Sequence, residues 1–447
     1  VTADTTAWTD GWYVVNGEVP ITSRITVTGK VHLILADNCT LNAENGGINV
    51  ADGDSLTIYA QSSGGSAGAL VAESLNDGSA GIGGGAYSDG VTIIINGGEI
   101  TATSSNGAGI GGGSYSVGGT VCINGGEITA TSSNGAGIGG GHYSSRSDGG
   151  TIIITDGKVT ATSFVGAGIG VGRGGAGGNI TINGGTVTAS TRDGAGIGGS
   201  AGGAGGKITI NSGTVEATSS DGGAGIGGGM YSDGEEITIN GGTVTATSTR
   251  DGAGIGGGAG GECGEISITS GTVKADSSNG VGIGGSGSNA SISITGGEVA
   301  ARGYDTGISC DNIIEIRDGT VTADGGDCGI FSFGTLTITG GTVAANGTSL
   351  NSRGIMGNNT TISGGMVTAT GEKAGISGMV FTTGPDGNAF ITASSIEDQS
   401  NKKDWNGVIF EGNDGAVYGE QTIQTDTEIP AAKTLTIPDG SILTISS

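Results

Sequence analysis

Residues 106–130 read NGAGIGGGSYSVGGTVCINGGEITA, and this run decides the fold because most of the chain repeats it with small changes. The isoleucine of GAGIGGG recurs as Ile82, Ile110, Ile138, Ile169, Ile197, Ile226, Ile255 and Ile283, at intervals of 28, 28, 31, 28, 29, 29 and 28 residues. It continues through Ile308, Ile330, Ile355 and Ile376 at intervals of 25, 22, 25 and 21, so the loops shorten while the pattern stays. A fixed period of this length is the signature of a solenoid. Each repeat holds three short apolar alternations: A-G-I-G-G at residues 108–112, V-x-I-N at 121–124 and I-T-A-T at 128–131. Alternation with period two, bounded by Gly and Asn, is the strand signal, and helical spacing is absent.

Three strands per repeat, each too short to bury a face alone, predict an all-β fold. It is a right-handed parallel β-helix with three strands per rung, rungs about 4.8 Å apart and a cap at each end. In the second strand Val121 and Ile123 point into the bore and Cys122 points out; in the third, Ile128 and Ala130 point in and Thr129 and Thr131 out. Asn96, Asn124, Asn183, Asn211 and Asn240 end the second strand and predict an asparagine ladder at a tight turn. Residues 1–75, with Trp8, Trp12 and Tyr13, read as an N-terminal cap and first irregular coils, and 76–378 as the repeats. Residues 379–447 read as a C-terminal cap with continuation strands, whose closing alternation suggests that the native protein runs on. A cap is needed because an open β-helix end exposes unpaired backbone groups.

With 102 glycines and 4% aromatics in 447 residues, large side chains cannot fill a conventional core. A formal net charge of -26 argues against nucleic acid and anionic membrane, both of which call for a basic face. Five cysteines, Cys39, Cys122, Cys263, Cys310 and Cys328, lack metal-ligand spacing and imply no disulfide framework. Five free thiols are expected, with Cys310 and Cys328 facing the bore. No run is long and apolar enough to insert in a membrane, and Val1 reads as the start of a trimmed or mature chain without a signal peptide. Low charge with abundant Ser, Thr, Gly and Asn fits a secreted or cell-surface bacterial protein.

The opening run GWYVVNGEVPITSRITVTGKVHLILADNCTLNA, the segment SLTIYAQS and the repeated GAGIGGG and INGGTVTAT units resemble the β-helical ectodomain modules of large surface proteins in gut Firmicutes. That resemblance spans nearly the whole chain. The run TGISCDNIIEIRDGTVTADGGDCGI is similar to a clostridial family of carbohydrate-binding right-handed β-helix proteins, over about residues 292–376. Together they imply a β-helix at the surface of a Gram-positive bacterium, and they supply no catalytic residues.

Function must then come from outward positions. Tyr87, Tyr115 and Tyr143 follow the GAGIGGG strand at intervals of 28, with Tyr231 at the same place in a later rung; Arg173 replaces the tyrosine in the fourth rung and the fifth has none. A ridge of tyrosines offers apolar ring faces and hydroxyls to a glycan, with Asp89, Arg146 and Asp148 available for hydroxyl contacts, although the same rings could simply staple loop to loop. Asp193, Asp221 and Asp251 share a turn position in successive rungs and suggest calcium, whereas Asp-Gly is also what a tight turn requires. Arg192 and Arg250 directly precede two of them. The outward threonine pairs, from Thr101 and Thr103 onward, read as β-formers on a solvated face.

Neither His32 nor His142 belongs to a metal motif. The outward positions of the first strand, Gly109 and Gly111, carry no side chain. No close acid pair is visible, which weighs against an enzyme. The sequence therefore points to a noncatalytic β-helix that binds polysaccharide or host glycan as an adhesin-like module, or serves as a rigid stalk, with no cofactor other than a conceivable calcium ion. The alternative is a glycan-degrading β-helix enzyme.

Overall fold

A computed structural model describes the chain apart from residues 117–118, 144–149, 176, 288, 385–386, 425–428, 430–432 and 447. It divides into two compact units, Val1–Glu262 and Cys263–Ser447. Each is built of parallel strands that pair with their own copies one repeat later, in a right-handed β-helix.

In the first unit the isoleucine column runs Ile25, Ile48, Ile82, Ile110, Ile138, Ile169, Ile197, Ile226 and Ile255, each the register partner of the next. The second strand stacks Leu33, Ile58, Ile95, Ile123, Ile154, Ile182, Ile210 and Ile239. The third stacks Val19, Leu41, Leu70, Ile100, Ile128, Val159, Val187, Val215 and Val244. All three columns are buried. Each such side chain contributes about 1.5–3 kcal/mol of hydrophobic burial, which is how a chain poor in large residues offsets the ordering of its many glycines.

Pairing begins at Ala7–Trp8, which lies against Thr26 and Val27, so regular coils occupy much of the stretch expected to be cap and irregular coil. Ile25–Val27 pairs with Ile48–Val50 and Lys30–Leu35 with Ser55–Ala60 in register without the GAGIGGG spelling, because only the inward aliphatics matter to the column. Trp8 is buried and closes this end, but Trp12 is not part of the cap: it stands 63% exposed and stacks on His32 at 4.4 Å.

Two polar ladders reinforce the first unit. Asn124 donates to Asn96 at 2.8 Å, Asn211 to Asn183 at 2.8 Å and Asn240 to Asn211 at 2.9 Å, as the turn chemistry predicts. A second ladder went unread. The buried hydroxyls of Ser132, Ser163, Thr191, Ser219 and Ser248 donate to the carbonyls of Gly107, Gly135, Gly166, Gly194 and Gly223 at 2.7–2.9 Å, tying each third strand to a turn of the preceding rung.

The glycines of the first strand correct one expectation. Gly109 and Gly111 do not face solvent: both are buried, and a Cβ at Gly111, where φ is 135°, would lie 2.1 Å from the carbonyl oxygen of Gly139 in the next rung. These positions are shut by neighbouring backbone, so the absence of side chains there reports packing and says nothing about catalysis.

In the second unit Ile283, Ile308, Ile330, Ile355 and Ile376 stack in register. Val273, Val299, Val321, Val343, Val367, Ile391 and Ile409 do the same. Parallel pairing then gives way to an antiparallel pair, Gly407–Glu411 with Asp414–Tyr418. Val408, Phe410 and Val417 form a small core there with Phe390, Leu435 and Leu443, all within residues 379–447. Cys310 and Cys328 are buried as expected. The Cys263 and Cys310 thiols are neighbours close enough to influence each other's ionisation, and both are free.

Candidate functional site

Beyond each GAGIG strand the chain makes a turn whose second residue has a left-handed backbone. In seven consecutive rungs this slot holds Tyr87, Tyr115, Tyr143, Gly174, Gly202, Tyr231 and Gly260, with φ between 54° and 76°. The fourth-rung occupant is thus Gly174; Arg173 sits one residue earlier, in line with His142, and corrects the alignment that put arginine in place of tyrosine. The left-handed region suits glycine and costs an ordinary side chain about 1–2 kcal/mol. Three rungs use glycine; four hold a tyrosine at that cost.

Tyr87 and Tyr115 stack with centroids 5.1 Å apart and planes 9° apart, and Tyr115 and Tyr143 stack at 5.5 Å. His142 lies on Tyr143 at 3.9 Å and terminates the row. Burial lowers the pKa of His142, and the positive charge of Arg173 lowers it further, so the imidazole is held neutral. The rings are 71%, 47% and 43% exposed along the row. Their faces are turned to one another, which leaves edges to solvent in the middle of the ridge, and the free face expected for a sugar remains at its Tyr87 end.

Asp89 is exposed two residues beyond Tyr87, and its N–H donates to the Asp52 carboxylate at 3.0 Å. Arg146 and Asp148 lie outside the described residues. Tyr231 is 77% exposed and, among the described residues, has no ring stacked on it.

Of the carboxylates suggested for calcium, Asp193 is buried and receives Arg192 through Nε at 2.6 Å and a second nitrogen at 3.1 Å, while Arg192 lies over the Phe164 ring at 4.0 Å. Asp221 pairs with Arg250 at 3.5 Å, and Asp251 is exposed. The repulsion that a bridging cation would relieve at Asp193 and Asp221 is therefore answered by arginine. Among the described residues no group of three or more His, Cys, Asp or Glu side chains is placed to hold a metal ion.

A groove of about 810 Å³ runs over the corner between the second and third strands, lined by Gln61, Asn96, Glu99, Glu127, Asp156 and Lys158 among others. Glu99 and Glu127 are register partners in adjacent rungs, and Lys158 pairs with Glu127 at 2.6 Å. This acid pair escaped the sequence reading. Its signal was the E-I-T-A-T spelling repeated at residues 99–103 and 127–131, taken there only for its inward and outward alternation.

Comparison with known proteins agrees with the architecture. The family model of the beta helix repeat matches eight segments, residues 93–114, 123–142, 152–170, 180–205, 208–230, 237–259, 314–330 and 361–378, so the chain is similar to that repeat along its helical coils. No curated protein and no solved structure matches the chain.

Proposed function

We propose that this protein is a noncatalytic glycan-binding β-helix that works outside a Gram-positive cell or on its surface and presents the tyrosine turns as its binding face. One observation carries the reading. Tyr87, Tyr115, Tyr143 and Tyr231 hold a strained left-handed backbone at exposed positions where Gly174, Gly202 and Gly260 serve the fold without strain. Strain kept at a surface position favours a use for the side chain. Stacked tyrosine edges and hydroxyls at a spacing of 5.1–5.5 Å suit an extended chain of sugar units lying along the ridge, with Asp89, Arg146 and Asp148 as further partners. A net charge of -26 favours a neutral glycan over a polyanion.

The second reading, a glycan-degrading enzyme, is favoured by Glu99 and Glu127 on the wall of the groove, since adjacent rungs set their backbones about 4.8 Å apart, within reach of the carboxyl spacing of a retaining glycosidase. A glycan array followed by product analysis tests both. Retention without cleavage, reduced in a variant with Tyr87, Tyr115 and Tyr143 all replaced by glycine, is expected. Cleavage that disappears in Glu99→Gln would establish the enzyme, and retention of nothing would leave a stalk.

A further inference from the structure

The tyrosine column is interrupted, and the interruption has a shape. Tyr231 stands between Gly202 and Gly260, which occupy the same left-handed slot in the rungs on either side. A Cβ at Gly202 would meet nothing within 4 Å, and one at Gly260 would only graze the Tyr231 ring at 3.9 Å. Neighbouring slots carry stacked rings 5.1 Å apart where both hold tyrosine. The slots on either side of Tyr231 therefore carry no ring and leave open the place that a tyrosine takes elsewhere in the column. The 77% exposure of this ring, the highest of the four, reflects that.

A second outlier lies in the same loop. Glu235, four residues on and exposed, also has a left-handed backbone, with φ of 54°, where Gly206 and Gly264 serve the neighbouring turns with φ of 72° and 77°. Asp233 is exposed between them, and its Oδ1 accepts the Glu262 N–H at 2.7 Å. One loop thus spends two strained residues on an open aromatic face and a carboxylate beside it. An apolar ring face flanked by hydroxyl acceptors is what a pyranose needs, because its C–H face stacks on the aromatic ring while its rim hydroxyls donate outward. A uronate or sulfated sugar would meet Asp233 and Glu235 as like charges.

We infer that Tyr231 is the ring-stacking subsite of this protein, and that a neutral hexopyranose unit takes the place of the missing ring over Gly202 or Gly260, with Asp233 and Glu235 accepting its hydroxyls. This rests on the glycan-binding reading and names the place where a sugar face, as opposed to a sugar edge, is held. The full chain is applied to an array of immobilised gluco-, galacto- and manno-configured oligosaccharides alongside oligouronates, with far-UV circular dichroism as the check on folding.

Tyr231→Gly, a change that adjacent rungs already make, is expected to lower retention on the neutral oligosaccharides at least tenfold, and Tyr231→Phe to keep most of it. Gly202→Tyr, which refills one space, is expected to weaken binding without loss of fold. If Tyr231→Gly binds like the native chain while the Tyr87, Tyr115 and Tyr143 glycine variant does not, the glycan reading stands and this subsite is wrong. Preferential retention on oligouronates overturns the ligand class. If the native chain retains no oligosaccharide, the glycan reading falls first and the subsite with it.

Discussion

The GGG run after Ile110 contains positions of opposite tolerance one residue apart. At Gly111 the backbone φ is 135°, and an added Cβ would fall 2.1 Å from the Gly139 carbonyl oxygen, well inside contact with backbone that belongs to the next rung. Relief requires the first-strand ladder to open, which endangers the Gly112 N–H to Gly139 bond at 2.8 Å and the Ile110 N–H to Gly137 bond at 3.0 Å. Two ladder bonds at about 1 kcal/mol each, about 1–3 kcal/mol of backbone strain and about 1–3 kcal/mol of overpacking put Gly111→Ala at roughly 4–8 kcal/mol of destabilisation.

Gly112 has an ordinary backbone, its nearest neighbour to an added Cβ is 3.6 Å away, and Val171 occupies the equivalent register two rungs on. Gly112→Ala is therefore expected to be neutral or to stabilise by about 0.4–1 kcal/mol through the unfolded chain. Urea unfolding followed by far-UV circular dichroism separates the two variants by a clear shift in midpoint. Equal midpoints for both would refute the idea that rung-to-rung backbone contact, and not glycine content as such, dictates these residues.

Ser132→Ala removes a buried hydroxyl that donates to the Gly107 carbonyl at 2.7 Å and accepts the Gly135 N–H at 3.0 Å, and should lower stability by about 1–3 kcal/mol in the same assay; an unchanged midpoint would mean that the hydroxyl ladder is decorative. His142 is held below its ordinary pKa, so its neutral form contributes stability that is fully present above the unfolded value near 6.5 and is lost as pH falls below it. As pH falls below about 6.5 the native chain should lose stability that His142→Gln does not lose, and parallel curves for the two proteins would show that the ridge terminus is not linked to this proton. Because the Cys263 and Cys310 thiols are neighbours, exposure to a small-molecule disulfide, itself reduced to two thiols, should join this pair with loss of their two hydrogens and leave Cys39, Cys122 and Cys328 free to label. Peptide mapping that finds five labelled cysteines, or another pair joined, would contradict it.

The coil register was legible because Ile82 to Ile376 repeat both an inward side chain and the glycines around it. Ile25 and Ile48 belong to the same column, and while the run from Ile25 reads as strand-like, its place in the column is not spelled out, since S-R-I-T-V and G-I-N-V share with GAGIGGG only the residue that enters the bore. The tyrosine row was visible as spacing, but whether faces or edges meet solvent depends on backbone dihedrals and on His142, which spacing does not encode. Glu99 and Glu127 were hidden for a different cause: a groove at a corner joins residues from several rungs and from the loop near Gln61, so no single repeat displays it. Cys263 and Cys310 lie 47 positions apart, and only the stacking of turns brings them together.

The left-handed slot behaves as a site with two interchangeable occupants. Along seven rungs it spells Tyr, Tyr, Tyr, Gly, Gly, Tyr, Gly, and the scaffold beneath keeps its register throughout. One substitution can then write or erase an aromatic ring without disturbing a strand, in steps of about 4.8 Å. A β-helix of this kind can alter the length and phase of its row of exposed rings by editing single positions, much as a ruler is re-marked without being recut.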